Sequence, residues 1–472
     1  MKIQSLIYLL FLLVLWLVSA RLRSVKTRQV VLLLASYAFY STLGLPFLAI
    51  LIASSLVNYG CGQLLQRRNT LATLLLGVGF NVVLLCCFKY LPPLFGTLPQ
   101  NTGWGSFVQL IALPVGISFW TFQALSYLFD IYREEELDPT IVEFCLYIAF
   151  WPTVLSGPVC RLTEMLPQFR RLEPPSWDDV AVGTHRIVIG LFMKVVLAQL
   201  LAKGFNEGEG VSAGFDQASG WSGLDVWALA FGFGFQLFFD FAGYSHIAIG
   251  SARLFGFRLE ENFDHPYFAP SVSAFWTRWH MSLSSWIRDY VFMPLATMRR
   301  EMWWRQLSLV LAMSLFGFWH GATFPFVLWG LYHGVLLATH RQWQQFQRRS
   351  NFSLPQPVSA FISWGLTFLF ISLGWILFRA HDLNQVGAMF KALVSIGGYR
   401  HLALRPNYYM MLLLVIGGYF IFSGLERLVV RFQKTRWGGG ASTVLSPLYY
   451  AAAMILIAIW SKQDSVFVYF QF

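Results

Sequence analysis

The chain has 472 residues and a formal net charge of +11 at pH 7, and 56% of its residues are hydrophobic while only 12% are charged. A soluble domain carries about 25% charged residues. This composition, with a mean hydropathy of +0.55, therefore excludes an ordinary soluble protein and indicates a polytopic membrane protein. The basic residues stand in short clusters between apolar stretches, which is typical of membrane-flanking loops and argues against a nucleic-acid partner.

Apolar stretches with few or no charged residues recur along the chain and predict its membrane segments. In chain order they are 4–20, 29–66, 69–88, 107–129, 144–160, 187–202, 226–239, 306–340, 354–378, 407–425 and 437–461. With the long stretches counted twice, they predict about ten to twelve membrane segments. The basic sequence RLRSVKTR follows the first stretch, so we expect an uncleaved first helix that ends in the cytoplasm rather than a signal peptide.

The residues from 274 to 291 predict one helix that is too polar to span a bilayer. Its apolar side carries Trp276, Trp279, Leu283, Trp286 and Ile287. A polar stripe on the opposite side carries Arg278, Ser282, Ser285 and Asp289, and a second polar stripe carries His280, Ser284 and Arg288. Such a helix suits a membrane interface or a water-filled re-entrant cavity.

The run from 306 to 340 contains His320 but no Asp, Glu, Lys or Arg. As one straight helix it would be about 52 Å long at 1.5 Å per residue, well beyond the ~30 Å hydrocarbon core. The residues that predict a break beside His320 are Gly317, Gly321, Pro325 and Gly330. Because both ends of the run are basic, the pattern favours two arms that return to the cytoplasmic side, and one tilted span is the alternative.

The histidines, cysteines and carboxylates limit the chemistry open to this chain. The five cysteines lack metal-ligand spacing, the histidines form no metal-binding boxes and no Gly-x-Ser-x-Gly elbow is present, so neither a metal site nor a covalent acyl-enzyme is predicted.

A desolvated, neutral His320 would serve as a general base, and hydrogen bonding between helices is an equally good interpretation. For His333 and His340 we favour packing. Asp240 is a second buried candidate, for which pairing with an arginine or capping of a helix is the alternative.

Four stretches carry a family resemblance. They are LPVGISFWTFQALSYLFDIYR at 113–133, FDFAGYSHIAIGSARLFGFRLEENFDHPY at 239–267, FWTRWHMSLSSWIRDYVFMPL at 275–295 and LFGFWHGATFPFVLWGLYHG at 315–334. In this order they resemble the membrane-bound O-acyltransferase superfamily, and in particular its bacterial branch that acetylates alginate and other polysaccharides. The resemblance implies an all-α membrane protein with about eleven transmembrane helices and re-entrant segments around a central tunnel. It implies a single membrane domain over 1–472, with a motif-bearing core at about 110–340.

The same resemblance implies the residues of the site. His320, in the sequence FWHGA, corresponds to the superfamily's invariant histidine and would be the catalytic base. His280 corresponds to the superfamily's second histidine, in an Arg-Trp-His motif near the cytoplasm. We expect His280, Trp279 or a backbone N–H freed at the break between 321 and 325 to donate a hydrogen bond to the oxyanion. The residues expected to support substrate binding are Trp279, Arg278, Arg288, Ser284, Asp289, Trp319 and Asp240. Among these, Arg278 and Arg288 are candidates for steering an anionic donor, and pairing with Asp289 or with lipid phosphate is an equally good interpretation.

The function implied is that of a membrane-bound O-acyltransferase in the bacterial inner membrane. It would pass an acyl group, acetyl by preference, from a cytoplasmic thioester such as acetyl-CoA or an acyl carrier across the bilayer toward an exported polysaccharide. A separate extracytoplasmic acetyltransferase would complete the delivery, and no bound cofactor is expected. One alternative is D-alanyl transfer to teichoic acid by a sister branch. Another is a transporter or flippase, to which buried ionisable residues and broken helices are equally suited.

Overall fold

The computed structural model describes residues 1–92, 113–171, 173–217, 220–321, 323–350, 355–433 and 450–460. It is 77% helical, and the residues within these ranges contain no strand. The predicted all-α class is therefore confirmed. Parts of the predicted apolar stretches lie outside the described residues, namely 107–112, 322, 354, 437–449 and 461.

The helices of the first half of the chain are α1 (Leu6–Ser19), α2 (Val25–Ser41), α3 (Leu45–Arg67), α4 (Leu71–Leu85), α5 (Ile117–Tyr132), α6 (Ile141–Ala149), α7 (Leu162–Phe169), α8 (Trp177–Leu191), α9 (Ala198–Lys203), α10 (Val211–Asp216) and α11 (Gly223–Arg253). The helices of the second half are α12 (Val272–Trp276), α13 (Met281–Ile287), α14 (Met293–Thr297), α15 (Met302–His320), α16 (Phe324–Ser350), α17 (Gln356–Arg379), α18 (Leu383–Val394), α19 (Pro406–Gln433) and α20 (Tyr450–Trp460). Short π-helical segments follow α4, α8 and α13.

Six of the described helical segments are long and apolar enough to cross a membrane. They are Leu45–Arg67, Leu71–Tyr90, Trp177–Lys203, Gly223–Arg253, Gln356–Arg379 and Pro406–Leu425. Two shorter apolar helices are Leu6–Ser19 and Tyr450–Trp460. These segments make the chain a multi-pass membrane protein, as its composition indicates.

The chain divides into two compact units that are interleaved in sequence. Unit 1 comprises Met1–Ile187, Ser245–Asp264 and Trp276–Ser308. Unit 2 comprises Val188–Tyr244, His265–Phe275 and Leu309–Phe472. Because each unit is assembled from three separate stretches, the division does not separate consecutive domains, and the single membrane domain stays a prediction.

Unit 1 contains a packed group of apolar helices, α3, α4 and α5. Glycines allow close contact there, since a Cβ at Gly62 would lie 2.2 Å from the hydroxyl oxygen of Tyr127. Asn58 and Asn81 exchange side-chain hydrogen bonds of 3.2 and 2.6 Å between α3 and α4. Reciprocal amide pairs of this kind satisfy polar groups inside a membrane and hold two helices in one register.

Unit 1 also contains a buried carboxylate that ties three segments together. Glu143 caps the start of α6 by accepting a 2.8 Å hydrogen bond from the backbone N–H of Thr140. The same carboxylate accepts hydrogen bonds from Gln29, at 3.1 Å, and from Arg170, at 3.0 and 3.1 Å. This network fixes α6 against α2 and the segment that follows α7, because a buried charge is stable only when it is fully paired.

In unit 2, α15 and α16 form a helical hairpin whose turn directly follows His320. Helix α15 ends at His320 and α16 begins at Phe324. The arms touch through glycines: a Cβ at Gly330 would lie 2.3 Å from the carbonyl oxygen of Met313, and a Cβ at Gly317 would lie 2.3 Å from that of Phe326. The predicted break beside His320 is confirmed, and the alternative of one tilted span is wrong.

The prediction of one helix from 274 to 291 is wrong. Helix α12 ends at Trp276, and α13 does not begin until Met281. His280, at the start of α13, has a φ of 43°, in the left-handed region that interrupts a right-handed helix. A π-helical segment then occupies Arg288–Phe292. Because a left-handed residue and an i→i+5 turn both change the angular spacing, a wheel drawn at 100° per residue cannot place the side chains of this segment.

We predict that Gly330→Ala lowers the stability of the purified protein by about 1–3 kcal/mol, the usual effect of overpacking. The added methyl group would meet the Met313 carbonyl, and backbone atoms cannot move away as a side chain does. The measurement is thermal unfolding in detergent, followed by size-exclusion chromatography of heated samples.

The matched control is Gly365→Ala in α17, where a Cβ would have no atom within 4 Å. Since alanine favours a helix by up to about 1 kcal/mol over glycine, this variant should unfold at the same temperature as the wild type or higher. Equal stability of the two variants would show that the hairpin does not depend on the glycine contact.

Candidate functional site

His320 is buried among aromatic rings contributed by the helical hairpin and α17. On α15, the centroids of Phe316 and Trp319 lie 4.9 and 4.8 Å from the imidazole centroid. On α16, Trp329 lies at 5.2 Å and nearly perpendicular to it, and on α17, Phe378 lies at 5.0 Å. We call these four rings the aromatic cage.

The aromatic cage has two effects on the chemistry of His320. Its rings replace water around the imidazole, which strengthens every electrostatic interaction there. Their faces also carry the negative part of the aromatic quadrupole, so they attract a cation such as an imidazolium. An imidazole in this setting is suited to hold a proton for the short time between taking it and returning it.

Trp329 of the cage also contacts His333, at a centroid distance of 4.9 Å. His333 is fully buried, and a Cβ at Gly374 of α17 would lie 2.6 Å from its Nε2 atom. Glycine at 374 therefore lets α17 pass close to His333. The packing role predicted for His333 fits this setting, and the structure adds that His333 supports a ring of the cage.

His280 lies in unit 1, and its surroundings are polar as well as aromatic. It is buried, its Nδ1 atom lies 3.1 Å from Oδ1 of Asn262, and the rings of Phe119 and Phe263 are nearly parallel to it at 6.5 and 6.4 Å. His280 is outside the six candidate membrane spans. Burial lowers its pKa to about 3, so the side chain is neutral at physiological pH.

Two of the predicted supporting residues lie next to His280 in the structure. Trp279 is buried and packs edge-to-face on Phe263 at 5.2 Å. Ser284 donates a 3.0 Å hydrogen bond to the carbonyl oxygen of Trp279. This bond uses the hydroxyl proton of Ser284 to stabilise the turn.

Asp289 contacts three arginines, which we call the arginine cluster: Arg133, Arg161 and Arg288. Asp289 forms ion pairs with Arg161 and Arg288, and its carbonyl oxygen accepts a 2.8 Å hydrogen bond from Arg133. The guanidinium groups of Arg133 and Arg161 also lie 5.0 and 5.2 Å from the ring of Tyr290. Burial tends to raise the pKa of Asp289, but hydrogen bonds from Arg288 and Arg161 bring it below its usual value.

The remaining two predicted residues differ in their surroundings. Arg278 is half-buried, and its carbonyl oxygen accepts a 3.0 Å hydrogen bond from the backbone N–H of Asp264. Asp240 on α11 forms a buried ion pair with Lys194, which lies in the π-helical segment after α8. Removing one partner of a buried pair typically costs about 3–5 kcal/mol, because the other charge is left uncompensated. The pairing interpretation of Asp240 is thus confirmed, with a lysine rather than an arginine as the partner.

Several residues of these sites were missed by the sequence reasoning, namely Asn262, Trp329, Phe378, Phe316, Arg133 and Arg161. Asn262, which contacts His280, is eighteen residues away from it in sequence. Trp329 and Phe378 of the aromatic cage come from α16 and α17. In the sequence they resemble the many other aromatic residues of apolar segments. Asn262 lies in the charged stretch RLEENFD at 258–264, so nothing in the sequence marked it as a buried partner of His280. Among the residues that the structure describes, no group of three His, Cys, Asp or Glu side chains could hold a metal ion.

Comparison with known proteins gives consistent matches. The family model of the membrane-bound O-acyltransferase family matches residues 4–380. The chain is 34% identical to a probable alginate O-acetylase of Pseudomonas putida over 79% of this chain and 76% of that one. It is 32% identical to a peptidoglycan O-acetyltransferase of Helicobacter pylori over 78% of this chain and 74% of that one.

A teichoic acid D-alanyltransferase of Streptococcus thermophilus is 31% identical over 50% of this chain and 59% of that one. The family match covers most of the chain, including both histidine motifs. The match supports an enzyme rather than the transporter or flippase alternative. The chain belongs to the membrane-bound O-acyltransferase family and is an O-acyltransferase.

Proposed function

We propose that this enzyme transfers an acetyl group from a thioester donor toward an exported polysaccharide, with His320 as the general base. The observation that carries the proposal is the burial of His320 in the aromatic cage at the end of the helical hairpin. The names of the relatives that match over about 80% of the chain support acetyl as the group and a polysaccharide as the acceptor.

The reaction balances with one base and no covalent enzyme intermediate. His320 takes the proton of the acceptor hydroxyl as its oxygen attacks the thioester carbonyl, and a tetrahedral oxyanion forms. The C–S bond then breaks, the new ester remains on the acceptor oxygen, and the thiolate leaves with the proton that His320 returns. A positioned base of this kind typically contributes about 10²–10⁴-fold in rate.

The donor, the partners and the location are further parts of the proposal. The donor is a cytoplasmic thioester, either acetyl-CoA or an acyl carrier, and the acyl group crosses the bacterial inner membrane while the donor stays behind. A separate extracytoplasmic acetyltransferase then delivers the group to the polysaccharide. The resemblance noted in the sequence supports these parts, together with about eleven transmembrane helices and re-entrant segments around a tunnel.

We propose that the arginine cluster attracts the phosphate groups of the donor. Arg161 and Arg288 pair with the carboxylate of Asp289, and Arg133 bonds to the carbonyl oxygen of the same residue, so this one carboxylate does not neutralise all three guanidinium groups. Arg288 is the most suitable of the three, because 60% of its side chain is exposed. Guanidinium groups bind phosphate through paired N–H donors, and Arg278 is a further candidate ten residues earlier.

D-alanyl transfer is the competing reaction within the family. The identity to the D-alanyltransferase covers only half of the chain, whereas the acetylase identities cover about four fifths. The difference favours acetyl. Analysis of the acyl group attached to the polymer of expressing cells separates the two, because D-alanine carries an amine that acetate lacks.

We predict that His320→Ala lowers acetylation of the exported polysaccharide by about 10²-fold or more, the contribution of the lost base, while the protein still inserts and purifies as a single species. The control is His401→Ala, at an exposed position outside the described helices. Ester-linked acetate is measured in cells that carry each variant as their only copy. Near-normal acetylation in the His320→Ala strain would contradict the base assignment.

We predict that Arg288→Gln raises the KM for acetyl-CoA about two- to fivefold with little change in kcat, since an exposed charge contributes about 0.2–1 kcal/mol. The difference from wild type should shrink at high salt, because exposed charges are screened. Arg400→Gln, at an exposed position in unit 2, is the matched control. An unchanged KM for the Arg288 variant would mean that the arginine cluster only stabilises the fold.

A further inference from the structure

The side-chain amide of Asn262 is held in one orientation by its neighbours in unit 1. Asn262 is fully buried, and its Oδ1 atom lies 3.3 Å from the backbone nitrogen of Ser282 and 2.9 Å from that residue's hydroxyl oxygen. Its Nδ2 atom donates a 3.1 Å hydrogen bond to the hydroxyl oxygen of Ser245. A backbone N–H can only donate, so the atom that faces Ser282 must be the amide oxygen.

The oxygen position determines which nitrogen of His280 carries the hydrogen. Nδ1 of His280 lies 3.1 Å from the same Oδ1 atom of Asn262. An amide oxygen only accepts hydrogen bonds, so Nδ1 must be the protonated nitrogen. A neutral imidazole carries one N–H, which leaves the lone pair on Nε2. Burial keeps the pKa of His280 near 3, so the neutral form is the relevant one at physiological pH.

The backbone around His280 is clamped to the same segment as its side chain. The N–H of Met281 donates a 2.9 Å hydrogen bond to the carbonyl of Asn262, and the N–H of Asp264 donates a 3.0 Å hydrogen bond to the carbonyl of Arg278. Between these two bonds, His280 is held in the left-handed region, which is unfavourable for a residue with a Cβ. The hydrogen bonds on either side of His280 maintain this left-handed conformation, which sets the direction of the imidazole.

The hydroxyl of Ser282 completes the arrangement. It donates to Oδ1 of Asn262 and accepts a 3.0 Å hydrogen bond from the backbone N–H of Val159. Because Val159 has only this donor to offer, the Ser282 hydroxyl must direct its own proton to Asn262. Ser282 therefore supplies two donors to the Asn262 oxygen, its backbone N–H and its hydroxyl, and neither can act as an acceptor there.

We propose that Asn262 is a positioning residue, which holds His280 in the Nδ1–H tautomer and directs the lone pair of Nε2 toward the substrate. His280 then accepts a hydrogen bond from an O–H or N–H group of the acceptor or donor. It does not donate one to the oxyanion, the role that the sequence suggested. The substrate part of this inference rests on the proposed function, whereas the tautomer is a property of the protein alone.

The decisive experiment is ¹⁵N NMR of the purified wild-type protein with labelled histidine. The His280 signals are assigned by their loss in the His280→Ala variant. We expect the Nε2 signal in the range of an unprotonated imine nitrogen and the Nδ1 signal in the range of an N–H. An Nε2–H tautomer would overturn the proposal even if the enzyme transfers acetyl groups. Conversely, the expected tautomer would stand even if the acyl group proved to be another one.

Three variants test the consequence for turnover, measured as kcat and KM for acetyl-CoA. Asn262→Leu, which removes the oxygen, should lose about 10–100-fold in kcat, by analogy with residues that orient metal-bound histidines. Asn262→Asp, which retains an acceptor oxygen, should recover most of that loss at pH 8. Ser245→Ala, which removes only the partner of Nδ2, should remain within a few-fold of wild type. Equal losses in the Leu and Asp variants would mean that Asn262 acts by packing alone.

Discussion

The close approach of α15 and α16 is the constraint on which the His320 site depends. At Gly317 and Gly330 the two helices are separated by no side chain, and their backbones are in direct contact. Two rings of the aromatic cage come from α15 and one from α16. The cage therefore exists only while the hairpin is closed. Gly317 and Gly330 are needed because they let the two helix backbones come close together. Neither glycine has a positive φ, so the backbone conformation itself does not require glycine at these positions.

The two histidine sites are constrained by different kinds of interaction. His320 is enclosed by aromatic rings, which exclude water from the imidazole. His280 is held by hydrogen bonds whose donors and acceptors cannot be exchanged, which fixes one tautomer of the neutral ring. The first environment suits a residue that gains and loses a proton in each cycle. The second suits a residue whose protonation state stays constant while it orients a substrate.

The sequence predicted the hairpin because its signals are local. An uncharged run whose helix would be longer than the hydrocarbon core is thick must bend, and Gly317, Gly321 and Pro325 indicate the position of the bend. The segment around His280 could not be predicted in the same way. Its left-handed residue and π-helical turn are stabilised by contacts with Asn262 and the arginine cluster, which are distant in sequence. A wheel assumes a uniform helix, so it cannot show that the Ser284 hydroxyl bonds to the backbone of Trp279.

The claim that the acyl group crosses the membrane while its donor does not can be tested by reconstitution. Purified protein is inserted into sealed vesicles, and its orientation is read from protease cleavage in the basic segment at 341–349. Labelled acetyl-CoA is then confined to one side. We predict that acyl product appears only when the thioester is on the face that carries this basic segment. Equal transfer with the donor on either face would contradict it.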